Sequence, residues 1–230
     1  AWTWEIQPQG RDFDYFNLVF DFYKGLRKLG LNIDIIPPST NDFGERKLVI
    51  IPGLFAWSKS LTEAIKSYDG QLLIGPRTGS KTLNFSIPTS LPLEVQNFDC
   101  VITAVESLRP STKVNLESGG HFKIWREIAS TTEETIEKCS DGQPALIRKN
   151  RCTYVCGWPD EEAMDRILTG LADDASLDTR RLTGGHRMRK MGDRTLHMNY
   201  GPEAVELDSH ILGKAEIALV EDETGQLLIR

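Results

Sequence analysis

The tightest constraint on the fold comes from two short runs in which apolar residues do not alternate with polar ones. Lys47-Leu48-Val49-Ile50-Ile51 stops at Pro52-Gly53, and Gln71-Leu72-Leu73-Ile74 stops at Gly75. A strand with one wet face shows a period of two, whereas a strand covered by helices on both faces reads as an unbroken apolar run. Between the two lies Ser60-Leu61-Thr62-Glu63. This is the capping-box pattern, in which a hydroxyl and a carboxylate satisfy free amides at a helix start, and it predicts a helix running to about Tyr68. Strand, helix and strand at this spacing imply a right-handed crossover, and so an α/β fold built on an open, mostly parallel sheet.

The flanking segments extend this picture. Phe16, Val19, Phe20, Tyr23, Leu26 and Leu29 form one apolar face of a helix over about residues 14 to 29, with Asp12 or Asp14 as cap and Gly30 as its end. Ile33-Asp34-Ile35-Ile36, before Pro37-Pro38, reads as another strand. Residues 100 to 107 read as a strand, and residues 131 to 148 and 151 to 157 as antiparallel strands turning at Asp141-Gly142 and Lys149-Asn150. Trp158-Pro159-Asp160-Glu161-Glu162 opens a helix to about Ala175, with its acids at the positive end of the macrodipole. After Leu177 no helical period survives. Residues 186 to 191, 194 to 200, 203 to 207, 214 to 220 and 226 to 230, divided by Gly192-Asp193, Gly201-Pro202 and Thr224-Gly225, predict hairpins of a second, small antiparallel β domain. The expected division is therefore 1–177 and 178–230.

Composition narrows the function classes. With 40% hydrophobic and 26% charged residues the chain has the balance of a soluble globular protein. A net charge of −6 argues against nucleic acid as a partner, because displacing counterions needs a surplus of Lys and Arg. No apolar run approaches the roughly 20 residues that cross a bilayer, so no membrane partner is expected. Cys100, Cys139, Cys152 and Cys156 are too few and too scattered for a disulfide framework and read as small buried hydrophobes, with half of a metal site as the alternative for Cys152 and Cys156. Ala-Trp-Thr-Trp-Glu at the start carries neither the basic nor the apolar part of a signal peptide, which points to the cytoplasm. Because the chain does not begin with Met, Ala1 reads as a cut point in something longer.

Gly75-Pro76-Arg77-Thr78-Gly79-Ser80-Lys81-Thr82 follows a buried strand and has the outline of a phosphate-binding loop. A P-loop needs Gly directly before its Lys, and Ser80 stands there. The loop therefore reads as a rigid structural or subunit contact, with a small anion or polar ligand at Arg77, Thr78, Ser80 and Lys81 as the alternative, since ligands gather at strand carboxyl ends in such sheets. Trp2, Trp4, Phe13, Tyr15, Phe16, Phe20 and Phe22 crowd the start of the chain, an aromatic surplus that fits a protein interface or, more sharply, a sugar platform. Glycoside hydrolysis requires two carboxylates. Most of the 33 acids sit at turns or helix ends; Glu5 and Glu106 alone lie in apolar contexts, where a hydrogen-bonded structural role competes with a catalytic one. His121, His186, His197 and His210 show no ligand spacing, although His186 and His197 face each other across the expected hairpin at Gly192 as a weak metal pair. No Gly-x-Ser-x-Gly elbow is present, and no cysteine sits in a comparable one.

Taken in order, Glu5-Ile6-Gln7-Pro8-Gln9-Gly10, Asp14-Tyr15-Phe16, the loop from Gly75 to Thr82, Glu106-Ser107-Leu108-Arg109-Pro110 and Gly157-Trp158-Pro159-Asp160 resemble the trimerisation domain of glycoside hydrolase family 42 β-galactosidases over residues 1 to 176. Residues 178 to 230 resemble that family's small C-terminal β domain in position and pattern only. The resemblance implies a flavodoxin-like or glutamine amidotransferase-like sheet with no active site of its own, which helps to join three subunits into a homotrimer. The family's catalytic glutamates lie on an N-terminal (β/α)₈ barrel, the acid/base one in an Asn-Glu dipeptide; this chain has no Asn-Glu and is shorter than the roughly 250 residues of a barrel. No catalytic residue carries over, and no cofactor or metal is implied. Residues 2 to 7 alternate like a strand, but the resemblance makes them the loop leaving a first strand just upstream.

The expectation is thus an oligomerisation and scaffold region of an enzyme that hydrolyses terminal non-reducing β-D-galactosides, with the barrel of the same parent chain and further copies of itself as partners. Two alternatives stand beside it: an independent module binding a sugar or anion through residues 75 to 82 and Arg109, and a self-contained hydrolase using Glu5 or Glu106.

Overall fold

The computed structural model describes residues 12–56, 58–89, 98–207 and 210–229; Trp2, Trp4, Glu5 and the rest of the 2–7 segment lie outside them. The chain divides into two compact units, one holding the residues up to Phe22 and Ile36–Leu177, the other Tyr23–Ile35 and the residues from Asp178 onward. In order, the elements reached by residue 177 are α1 (Tyr15–Lys28), β1 (Leu48–Ile51), α2 (Lys59–Ser67), β2 (Gln71–Ile74), β3 (Cys100–Ser107), β4 (Val114–Asn115), β5 (His121–Thr131), β6 (Glu134–Lys138), β7 (Pro144–Lys149), β8 (Cys152–Val155), β9 (Gly157–Pro159) and α3 (Glu161–Asp174).

One sheet of the larger unit has the order β1-β2-β8-β7-β6. The pairs β1–β2 and β2–β8 are parallel, whereas β8–β7 and β7–β6 are antiparallel. The sheet is therefore mixed, and its direction changes where its connections do. The helical crossover through α2 allows parallel strands; the tight turns at Asn150 (φ 51°) and Gly142 (φ 85°) join only antiparallel ones. A second sheet, β3-β5-β4 with β9 also on β5, is antiparallel throughout.

Four local expectations are corrected. Ile33 to Ile36 forms no strand, and Ile35 is 88% exposed. The Asn32 side chain holds this stretch instead, donating to the Lys190 carbonyl at 2.8 Å and accepting from the Lys190 amide at 3.0 Å. Helix α2 is capped by Ser58, whose hydroxyl accepts from the Leu61 amide at 3.2 Å, so Ser60 lies inside the helix. On α1 the buried stripe is Leu18 and Phe22, continued by Leu29 just past its end, while Phe16 and Phe20 stack at 5.4 Å on the exposed side. Two apolar stripes interleave on that helix, and the one continuous with Phe13 goes inward. Trp158 and Pro159 belong to β9 and not to the helix that follows.

Asp160 caps α3 and fixes it to β5: its Oδ1 accepts from the amides of Ala163 at 3.0 Å and His121 at 3.1 Å, and its Oδ2 lies 2.9 Å from His121 Nδ1. One face of α3, Ala163, Met164, Ile167, Leu168, Leu171 and Ala172, is buried. Arg166 forks onto the buried Glu137 of β6 with bonds of 2.9 and 2.7 Å, and Glu137 also accepts from the Ser118 amide at 3.1 Å.

In the smaller unit, β10 (His186–Met191), β11 (Arg194–Asn199), β14 (Ile217–Glu221) and β15 (Leu227–Ile229) form an antiparallel sheet in that order, and β12 (Val205–Glu206) pairs with β13 (Ile211–Leu212). The hairpins turn through positive-φ glycines at Gly192 and Gly225, the positions where a left-handed residue is needed. Asn199 braces the loops, donating to the carbonyls of Glu203 at 2.7 Å and Gly213 at 3.0 Å while accepting from the Gly201 amide at 2.9 Å.

The fork is buried at Glu137 and part-exposed at Arg166, which water can still reach. Glu137→Ala is accordingly expected to lower the unfolding free energy by about 2 kcal/mol, read as a shift of the urea midpoint at unchanged slope.

Candidate functional site

The loop after β2 is held by backbone bonds to the chain that leaves β1. Gly75 donates to the Ile51 carbonyl at 2.8 Å, Gly79 to Leu54 at 2.9 Å and Lys81 to Phe55 at 2.9 Å. Gly75 is obligatory, because a Cβ there would meet the Pro52 carbonyl oxygen at 2.5 Å. Two further positions turn through the left-handed region, Gly79 at φ 68° and Arg77 at φ 67°. For Arg77 that conformation carries strain, and its surroundings show what holds it there.

Arg77 is 2% exposed. Its guanidinium carbon lies 4.0 Å from the centroid of Phe55, 4.4 Å from Phe13 and 4.8 Å from Trp125, so aromatic faces enclose the charge. Its backbone amide donates to Glu127 Oε1 at 2.8 Å, and the Tyr154 hydroxyl donates to Glu127 Oε2 at 2.6 Å. Burial pushes Arg77 down from 12.5 to about 9, against the upward pull of the Glu127 charge. Burial likewise raises Glu127 above the usual carboxylate range; the hydrogen bonds from Tyr154 and the Arg77 amide, and the Arg77 charge, oppose that rise without reversing it.

Arg77, Thr78, Ser80 and Lys81 line a cavity of ≈160 Å³ together with Ile87, Ile102, Val105, Trp125, Glu127 and Tyr154. The loop residues singled out in the sequence are thus brought together. Arg109 is not among them: it is exposed in the turn after β3. Trp2 and Trp4 lie outside the described residues. Thr78 is committed to structure, its hydroxyl 3.3 Å from the Ile51 carbonyl, and the Lys81 ammonium sits 5.7 Å from the Phe85 ring centroid. Glu127, Trp125 and Tyr154 were missed by sequence reasoning. The available signal was the alternation of β5, in which Glu127 occupies an inward position.

Glu127 is the one carboxylate among the described residues that line this cavity. Hydrolysis of a glycoside needs a pair, which the described residues of this cavity do not supply. Glu106 is ion-paired with Arg126 at 2.5 Å on a half-exposed strand, and Arg126 also donates to Asp141 at 2.6 Å. All four cysteines are buried and unbridged; burial, first among the causes, pushes Cys100 and Cys152 up to about 12 and Cys139 up to about 11. His186 and His197 do meet, Nε2 to Nδ1 at 3.0 Å, but among the described residues no group of three or more His, Cys, Asp or Glu side chains is placed to hold a metal ion. Burial, followed by the charges of His197, Arg180 and Arg187, pushes His186 down to about 4. Among the described residues no helix is long and apolar enough to cross a membrane.

Residues 1–178 match the family described as the beta-galactosidase trimerisation domain. The chain is 38% identical over 212 residues to a β-galactosidase of Thermus thermophilus, an alignment covering 90% of this chain and 33% of the relative. It is 26% identical to β-galactosidase Bga of Halorubrum lacusprofundi, covering 90% of this chain and 34% of that protein. The crystal structure of the β-galactosidase from the psychrophilic Marinomonas ef1 is similar with a TM-score of 0.88 at 31% identity, over 95% of this chain and 35% of that one. This chain therefore spans about a third of the length of the relatives it matches.

Two pH effects follow from the buried groups. Glu127, raised above its unfolded value near 4.5, holds its proton longer in the folded state, so the stability it contributes is full below that value and is lost as pH rises through the folded pKa. Urea midpoints of wild type and Glu127→Gln measured from pH 4 upward should therefore diverge in favour of the variant as pH rises. For His186 the sign is opposite: its contribution is present above 6.5 and is lost as pH falls toward about 4. Imidazole proton shifts followed by NMR should show one histidine still neutral at pH 5.

Proposed function

This chain belongs to the family of β-galactosidase trimerisation domains, and on that premise we propose that it is the non-catalytic oligomerisation and scaffold region of an enzyme hydrolysing terminal non-reducing β-D-galactosides. The match over residues 1–178, to relatives of which the chain spans a third, carries this reading. The hydrolytic carboxylates then belong to a (β/α)₈ barrel elsewhere in the parent chain, and the role of these residues is to set such barrels in a closed homotrimer.

Surface chemistry supports the role. Leu83 and Ile87 are 70% and 69% exposed, Val101 and Val105 44% and 50%, and no strand among the described residues pairs with the outer side of β3. An apolar surface along an open strand edge is stabilised by cover from another subunit. Arg109, at the end of β3, is a further contact in this reading, as are Trp2 and Trp4. We assign residues 1–177 to the trimerisation-type α/β domain and 178–230 to the small β domain. The parallel set β1, β2 and β8 with its α2 crossover supports a flavodoxin-like or glutamine amidotransferase-like sheet. A cytoplasmic location suits four buried thiols without a bridge. An independent sugar or anion module is not favoured, because the family and the relatives are those of β-galactosidases.

Light scattering on the purified chain is expected to give the mass of three copies, and a chromogenic β-galactoside is expected to remain intact. Turnover by the pure chain, or a monomer at every concentration tested, would overturn the proposal.

A further inference from the structure

The same larger unit holds a feature that scaffolding does not use. Arg77 lines the ≈160 Å³ cavity and is almost wholly buried, yet its Nη1 has no hydrogen-bond partner, and the buried Ser80 Oγ beside it has none either. Glu127 accepts from the Arg77 amide and the Tyr154 hydroxyl but from neither Arg77 Nη1 nor Ser80 Oγ. A buried donor without an acceptor costs about 1–3 kcal/mol, and more for a charged group. Arg77, Ser80, Lys81 and Trp125, whose indole Nε1 is a third buried donor without a partner, thus share this cavity with the apolar side chains of Ile87, Ile102 and Val105. Ile87 and Val105 are exposed in the single chain, on the surface proposed above to be covered by another subunit, so that space faces solvent or a neighbouring copy.

We propose that this cavity is a binding site for one short-chain monocarboxylate, its carboxylate held by Arg77 Nη1, Ser80 Oγ and Lys81 and its alkyl end set against Ile102 and Val105. The charge fits: a planar carboxylate accepts from a guanidinium and a hydroxyl together, and a single negative charge offsets Arg77 with least repulsion from Glu127. The size fits as well. A cavity of about 150 Å³ takes a molecule of about six heavy atoms, and propionate, with five, fits one of ≈160 Å³. The site is an accessory to the scaffold role and does not depend on it.

The carboxylate has two possible sources, a free acid or the side chain of Asp or Glu from another copy of the chain. The test is calorimetric titration of the purified chain with sodium propionate against sodium chloride at equal ionic strength. It is paired with nuclear Overhauser contacts from ¹³C-propionate to the methyl groups of Ile102 and Val105. Saturation at one equivalent is expected, with those contacts, and propanol should not compete. Ser80→Ala should weaken binding about tenfold, the loss of one charge-assisted hydrogen bond, and Arg77→Met should abolish it. Should Arg77→Met fail to fold, Ser80→Ala decides, because it removes only an unpaired hydroxyl. Binding independent of protein concentration identifies a free acid. Binding that appears only as the assembly is diluted apart identifies a side chain of another copy, and the site stands in both cases. Absence of saturable heat at every protein concentration, as ordered water alone would give, overturns the proposal, as does equal affinity in Ser80→Ala.

Discussion

Enclosing a guanidinium among aromatic rings removes it from water at a cost that only close contacts offset. In this chain the contacts come from well-separated stretches: Phe13 ahead of α1, Phe55 beyond β1, Trp125 and Glu127 on β5, and Tyr154 on β8. Because β5 belongs to the antiparallel sheet and β8 to the mixed one, a single arginine with its carboxylate ties both sheets to the loop after β2. It also fixes register. A slip of one residue along β5 would turn Glu127 outward and put Arg126, which now pairs with Glu106, into its place. The left-handed backbone at Arg77 belongs to the same arrangement, since it is the conformation in which the loop offers its amide to Glu127 while the side chain lies among the rings.

How far the fold was legible follows from which signals are local. The unbroken apolar runs of β1 and β2, the glycine turns at Gly142, Gly192 and Gly225, and the acidic start of α3 all act within a few residues, and each stands where the sequence places it. The antiparallel half of the main sheet was visible as two turns, but its joining to β2 through β8 is a long-range choice that no local pattern encodes. Strand β5 escaped because its inward positions include Glu127 and because the left-handed Ile124 breaks its alternation between Phe122 and Trp125. On α1 the two apolar stripes are equivalent in isolation, and packing through Phe13 selects between them. The candidate site divides in the same way. Its loop announces itself by Gly-Pro and a basic pair, whereas its carboxylate and phenol, from β5 and β8, come together only in the folded chain.

A scaffold and an enzyme make opposite demands on acidic side chains. Catalysis asks for a carboxylate that is held in place yet keeps an oxygen free to face the substrate; the buried acids here are engaged by protein groups. Glu137 is clasped by Arg166 and the Ser118 amide, Glu127 by Tyr154 and the Arg77 amide, and Asp160 is the cap of a helix. Such acids stiffen a framework.

The outer edge of β3 carries a further implication for how such a protein is made. Among the described residues no strand pairs with that edge, and a strand left open in this way, with valines toward solvent, is open to pairing with any extended chain. During synthesis the interval in which such an edge stays uncovered is therefore the dangerous one, when crowding at the ribosome favours a tangled deposit.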